Sequence, residues 1–163
     1  MISRVPKVKK IQKIDVYTDG SCINQGKRNA KAAFAVFFGD DDPRNYSEKL
    51  NSNCKQDSML AELEALRHAL YVISKQIDNR KKQNKKQAFT IYSDCTNAIQ
   101  WILGSNTPAR KLEPTVTLCR SYYSQIVCKT SLSILHVRAH SGVYGNNRAD
   151  RMAYRMAHNA CKS

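Results

Sequence analysis

Acidic residues are scarce: 13 Asp and Glu stand against 27 Lys and Arg in 163 residues, a net charge of +14. A field of that sign favours a polyanionic partner, nucleic acid first and an anionic membrane surface second. Long apolar runs are missing too. None approaches the ~18 residues of a membrane span, and no apolar segment follows the basic start as a secretory leader requires. The expectation is an intracellular protein of cytoplasm or nucleus with no membrane association. Cysteine pairs are absent as well. Cys22, Cys54, Cys95, Cys119, Cys128 and Cys161 are scattered without a C-x-x-C, and the histidines complete no zinc spacing. Reduced thiols are expected. Cys22 and Cys95 lie near notable acids but read as packing residues, since nothing nearby would lower their pKa. There are no internal repeats and no linker.

What remains is a globular composition, 42% hydrophobic, with length for one domain and its core. Residues 1–13 form a basic arm carrying Arg4, Lys7, Lys9, Lys10 and Lys13, and residues 14–163 form the domain. Ile14 to Cys22 alternates with period two and predicts a strand ending at Asp19. Ala32 to Asp40 and Tyr46 to Leu50 predict two more, joined by short turns into an antiparallel meander. Met59, Leu63, Leu66, Leu70, Ile73 and Ile77 mark the apolar stripe of a long helix capped by Asp57 or Ser58. A basic loop, 79–87, follows. A fourth strand spans Ala88 to Ser93, then come a short helix, Thr96 to Leu103, and a helical segment, Lys111 to Cys128, despite Pro114. Ser131 to Val137 is a fifth strand. A last helix, capped by Asn146, buries Ala149, Ala153, Met156 and Ala160. The sum is a single mixed α/β domain.

Four carboxylates stand out by position. Asp19 and Asp94 end similar strands, VYTDG and IYSDC. If those strands are parallel neighbours, both acids emerge at the sheet edge where α/β proteins place their sites. At about 100° per residue, Glu62 falls roughly 60° from the centre of the long helix's stripe and Glu64 roughly 140° away. Glu62 therefore reaches toward the sheet while Glu64 faces water. Asp150 sits at a similar boundary early in the last helix. The alternatives are a simple Asp-Gly turn at Asp19 and four unrelated surface acids. Clustered acids are costly unless cations are bound, and hard divalent ions want carboxylate oxygens. A basic protein with an acidic, metal-holding notch points to a nuclease.

The blocks YTDGSC (17–22), LAELEAL (60–66), IYSDC (91–95) and HSGVYGNNRADRMA (140–153), in this order and context, resemble ribonuclease H, type 1. The resemblance covers about residues 14–158, to the catalytic domain without a preceding hybrid-binding domain. It implies an α/β ribonuclease H-like fold: a five-stranded mixed sheet, its first three strands antiparallel, flanked by helices. It implies endonucleolytic cleavage of the RNA strand of RNA–DNA hybrids, leaving 5′-phosphate and 3′-hydroxyl ends. Two Mg²⁺ ions, or Mn²⁺, would be held by Asp19, Glu62, Asp94 and Asp150, with Asp19 bridging and His140 assisting proton transfer or product release. Gly20, Ser21, Gln25, Lys55, Gln56, Ser58, Trp101 and Asn146 would contact the hybrid. The chain departs from the family at Asp57, where a nearby DNA phosphate would be repelled, and at Gln25 and Asn147. Its 94–140 segment is too short for a full basic, Trp-rich handle, which loop 80–86 would replace. A monomer is expected. The alternatives are a non-catalytic binding module of this fold and a domain of a reverse transcriptase polyprotein.

Overall fold

The structure is a computed structural model that describes residues 10–79, 85–104 and 106–159. Five strands form one sheet: β1 (Gln12–Ile23), β2 (Lys31–Phe37), β3 (Tyr46–Lys49), β4 (Gln87–Ser93) and β5 (Ser131–His136). Their order is β3-β2-β1-β4-β5. The first three are antiparallel neighbours, and β4 and β5 join in parallel. Among the described residues, four α-helices pack around it: α1 (Ser58–Asp78), α2 (Thr96–Ile102), α3 (Glu113–Val127) and α4 (Tyr144–Asn159). The mixed five-stranded sheet is as the sequence predicts. No helix among the described residues is long and apolar enough to cross a membrane.

The core lies between the sheet and α1 to α3. Ile14 and Val16 of β1, Phe89 and Ile91 of β4, and Leu132 and Ile134 of β5 meet Leu63, Leu66, Leu70 and Ile73 of α1. β2 is buried on both faces over Ala32–Phe37, because α4 covers the side that α1 does not. That is why this strand reads as a continuous apolar run instead of an alternating one.

Several boundaries differ from expectation. β1 does not stop at Asp19; it runs on to Ile23, so the Asp19-Gly20 pair makes no turn. It begins at Gln12, which takes Gln12 and Lys13 out of the arm and pairs them with Gln87 and Ala88. β2 ends at Phe37, three residues early. α3 starts at Glu113 with Pro114 in its first turn, where a missing N–H costs nothing; Arg110–Leu112 form a separate 3-10 turn. α4 starts at Tyr144, so Asn146 lies inside its first turn and does not cap it. Its buried stripe is Ala149, Ala153 and Ala157, not Met156. Glu64 does not face water. Arg67 Nε and Thr115 Oγ1 donate to its two oxygens, because α3 covers that side of α1. Arm residues 1–9, loop residues 80–84 and Ala160 lie outside the described residues, while Lys85 and Lys86 are exposed.

One contact sets the distance between α1 and the sheet. A Cβ on Gly20 would lie 2.6 Å from the Ala61 carbonyl carbon and would also collide with the Glu62 nitrogen. Both obstacles are backbone, so neither can step aside. Gly20→Ala should cost about 1–3 kcal/mol through overpacking, seen as a fall in Tm of roughly 2–4 °C per kcal/mol in a chain of this size. An unchanged Tm would show that the helix backs away freely.

Candidate active site

The site begins where β1 changes partners. Its parallel ladder with β4 ends at the Tyr17–Tyr92 pair, and from Tyr17 onward it pairs with β2. Thr18 Oγ1 donates to the Tyr92 carbonyl at 3.2 Å and clamps the two strands at the point of divergence. Asp19 follows on β1, and Asp94 lies two residues past Tyr92. Asp94 lies just past the end of β4, whereas Asp19 lies inside β1, two residues beyond the end of the parallel ladder, so the acids meet where the two strands diverge and not at two strand ends.

α1 delivers the third acid. Asp57 caps the helix, its Oδ1 accepting from the Met59 N–H at 2.7 Å, and the glycine contact brings Glu62 down onto β1. Carboxylate oxygens of Asp19, Glu62 and Asp94 all lie within 4.8 Å of one another. Asp19 is only 3% exposed and Glu62 9%. Asp150, exposed in α4, stands outside this triplet but is near enough to raise the pKa of Asp19 by hydrogen bonding and that of Asp94 by its charge.

The electrostatics are those of charges forced together. Burial, then the charges of Glu62 and Asp94, push Asp19 well above the usual carboxylate range. Burial and Asp94 do the same to Glu62. Asp94 is raised less drastically, by burial and Asp150, with Glu62 as hydrogen-bond partner and His136 opposing. Glu62 Oε2 is buried with no hydrogen-bond partner. An orphaned, desolvated oxygen within a triplet of hard donors fits a divalent cation such as Mg²⁺ or Mn²⁺.

His140 sits on the exposed loop between β5 and α4 in a left-handed conformation, φ 54°. Ser141 Oγ donates to the Arg138 carbonyl at 2.6 Å and braces this loop. Around the acids, Ser21 is half-buried, and Gln25 Oε1 accepts from the exposed Ser58 N–H at 3.0 Å. Trp101 is half-buried against the core, its carbonyl held by Arg120 Nε at 2.8 Å. Two expected contacts do not suit substrate. The Gln56 amide is committed to the fold: its Oε1 accepts from Ala32 N–H, and its nitrogen donates to the Asn51 and Cys54 carbonyls. Asn146 is 3% exposed, which leaves no surface to offer. Asp57 is not a free negative charge either. Beyond its capping bond it faces Lys55 Nζ at 4.0 Å, and Lys111 converges on Lys55 closely enough to lower its own pKa.

His136 and Lys111 were not singled out by sequence. His136 is one ladder step from Asp94, opposite Ser93, and Lys111 meets Lys55 across 56 residues of chain; neither has a local signal. Cys22 and Cys95 are packing residues, as expected. Burial raises both thiols, and Cys95 Sγ rests 3.4 Å from Met59 Sδ.

Because Asp19 is pushed above its unfolded value, folding without metal takes up a proton there. That stability is present below the ordinary carboxylate pKa, about 4, and is lost as pH rises through neutral toward the folded value. Asp19→Asn should therefore raise the metal-free Tm at pH 7–8, by roughly 2–4 °C for each kcal/mol relieved, and abolish most of the Tm gain that Mg²⁺ or Mn²⁺ gives the native chain. A metal-free Asn variant less stable than the native chain at pH 8 would contradict this.

A family model described as RNase H matches residues 11–158. Ribonuclease H of Schizosaccharomyces pombe is 34% identical over 147 residues, spanning 87% of this chain and 52% of that protein. Human ribonuclease H1 is 30% identical over 144 residues, spanning 85% and 48%. The chain thus spans about half the length of these curated relatives. Among solved structures, LC11-RNase H1 in complex with an RNA/DNA hybrid shares the fold, with a TM-score of 0.64 at 18% identity over 90% of this chain and 98% of that one. With the match running from the first strand to the last helix, this chain belongs to the RNase H family.

Proposed function

We propose that this chain is a divalent-metal-dependent endoribonuclease that hydrolyses the RNA strand of RNA–DNA hybrids, leaving 5′-phosphate and 3′-hydroxyl ends. The observation that carries this reading is the desolvated triplet Asp19, Glu62 and Asp94, oxygens within 4.8 Å, set in a chain of charge +14. Such a notch has little reason to persist in a basic binding module without a cation to hold. The names ribonuclease H and H1 of the fungal and human relatives, and the hybrid bound by LC11-RNase H1, support this substrate class.

When bound, two Mg²⁺ or Mn²⁺ ions supply a lowered water pKa on the attacking side and charge neutralisation at the departing 3′ oxygen. Asp19, the most buried of the acids, holds the centre, and Glu62, Asp94 and Asp150 complete the oxygen set. His140, exposed on its braced loop, exchanges protons at the edge of the site. Gly20 and Ser21 line the floor beside Asp19. Gln25 and Ser58 frame the amino end of α1, and Lys55 with Lys111 offers positive charge to a phosphate there. Asp57, neutralised by its cap and its lysines, does not repel it. Trp101 of α2 would add an aromatic contact to the hybrid. Hybrid shape and RNA 2′-hydroxyls are read across the minor groove, with phosphates held electrostatically.

Incubation with RNA–DNA hybrid, single-stranded RNA and double-stranded DNA, with Mg²⁺ or with chelator, tests the reading. Hybrid alone should be cut, and only with metal. Asp94→Asn should lose more than about 100-fold in kcat, since even groups outside the metal's immediate ligands cost 10–100-fold. His140→Ala should lower kcat by about 100-fold or more while leaving metal binding intact. Hybrid binding without cleavage would overturn the enzymatic reading in favour of a binding module.

A further inference from the structure

The far face of the sheet carries an arrangement the chemistry above does not use. Tyr17 and Tyr92, each two residues before an acid of the triplet, stack there with ring centroids 4.9 Å apart and planes 15° off parallel. The first turn of α4 rests on this plate. Gly145 is buried against Tyr17 so closely that a Cβ would lie 2.7 Å from the ring's Cγ and would overlap its edge. The next residue back, Tyr144, meets Phe37 edge-on at 6.1 Å, and its hydroxyl donates to Asp40 Oδ1 at 2.6 Å. Asp40 belongs to the turn after β2, so the clasp ties α4 to the β2–β3 connection, whereas the plate lies on the parallel strands β1 and β4.

Asp150 is five residues beyond Gly145, about 7.5 Å along the helix axis. Unlike the triplet, it is exposed and stands outside the 4.8 Å group. Its distance from Asp19 and Asp94 is therefore set by how deeply α4 seats on β1 and β2. A sheet packed this tightly converts a small lift of the helix end into a displacement of everything that turn carries.

We propose that Gly145 on the Tyr17–Tyr92 plate, together with the Tyr144–Asp40 clasp, is a positioning device that sets how far Asp150 stands from Asp19 and Asp94. Neither Gly145 nor Tyr144 touches substrate or metal; both act through Asp150. The inference rests on the reading of Asp150 as a metal-holding residue.

Mn²⁺ titration of the full chain by calorimetry, without substrate, tests it alongside Tm and steady-state cleavage. Gly145→Ala should weaken Mn²⁺ binding about 10–100-fold, the scale of other groups that orient ligands, and raise the metal concentration for half-maximal kcat in step, with KM for hybrid unchanged. Tyr144→Phe, which keeps the ring and loses only the hydroxyl, should weaken it roughly 2–10-fold. Asp40→Ala should match it, and Asp40→Asn, still an acceptor, should restore native affinity. Should Gly145→Ala fail to fold, the Tyr144 and Asp40 variants decide alone. Lowered Tm with native Mn²⁺ affinity would reduce the device to packing and overturn the proposal. Asp150→Asn separates the two readings. If it leaves Mn²⁺ affinity native, the role of Asp150 fails; if it weakens binding while Tyr144→Phe and Gly145→Ala do not, only the positioning device fails.

Discussion

Repulsion among three crowded carboxylates, two buried and one half-buried, is the constraint on which this fold turns. Asp19, Glu62 and Asp94 are brought together by β1, by α1 and by the bend that follows β4. β1 is pinned by β4 below Asp19 and by β2 above it. α1 is fixed against β1 through Gly20, where two backbones approach with no side chain between them. The energy that would otherwise drive the acids apart is met by the packed core beneath them. Without metal, burial and the neighbouring charges also favour the protonated form of Asp19. A divalent cation relieves the same repulsion, so the site is unfavourable by itself and complete with its metal.

The charge of the molecule is organised around that notch. The chain as a whole is strongly positive, which draws a nucleic acid from a distance, while the Asp19, Glu62 and Asp94 notch is a negative site that could hold a cation. The amino end of α1 shows the balance at close range. Asp57 is there because a helix needs a cap, and Lys55 and Lys111 converge on it from separate elements. That end of the helix is positive in spite of its acid. A reading of Asp57 from sequence alone, as a charge in the path of a phosphate, takes the residue without the neighbours that neutralise it.

Much of this was legible in the sequence because it rests on local periodicity. The twin motifs YTD and YSD, the apolar stripe of α1 and the offset of Glu62 from it together place three acids at one edge. The parts that were not legible depend on the third dimension. Asp-Gly is a turn signal in isolation, yet Gly20 is required by a helix that arrives 40 residues later, so the strand continues through it. Glu64 reads as solvent-facing until α3 covers it. Gln56 and Asn146 carry the right chemistry for contacting a substrate, but one is spent on stitching its own loop and the other is buried in a helix that begins two residues earlier than its cap signal suggests. His136 and Lys111 gain their neighbours only through strand pairing and chain reversal.

The central claim is that the triplet holds a proton when it holds no metal. Calorimetric titration with Mg²⁺ or Mn²⁺ at pH 7, repeated in buffers of different ionisation enthalpy, counts the protons released on binding. The account predicts release that falls as pH rises and that Asp19→Asn removes. Metal binding without proton release, and with an affinity indifferent to pH between 6 and 9, would contradict it.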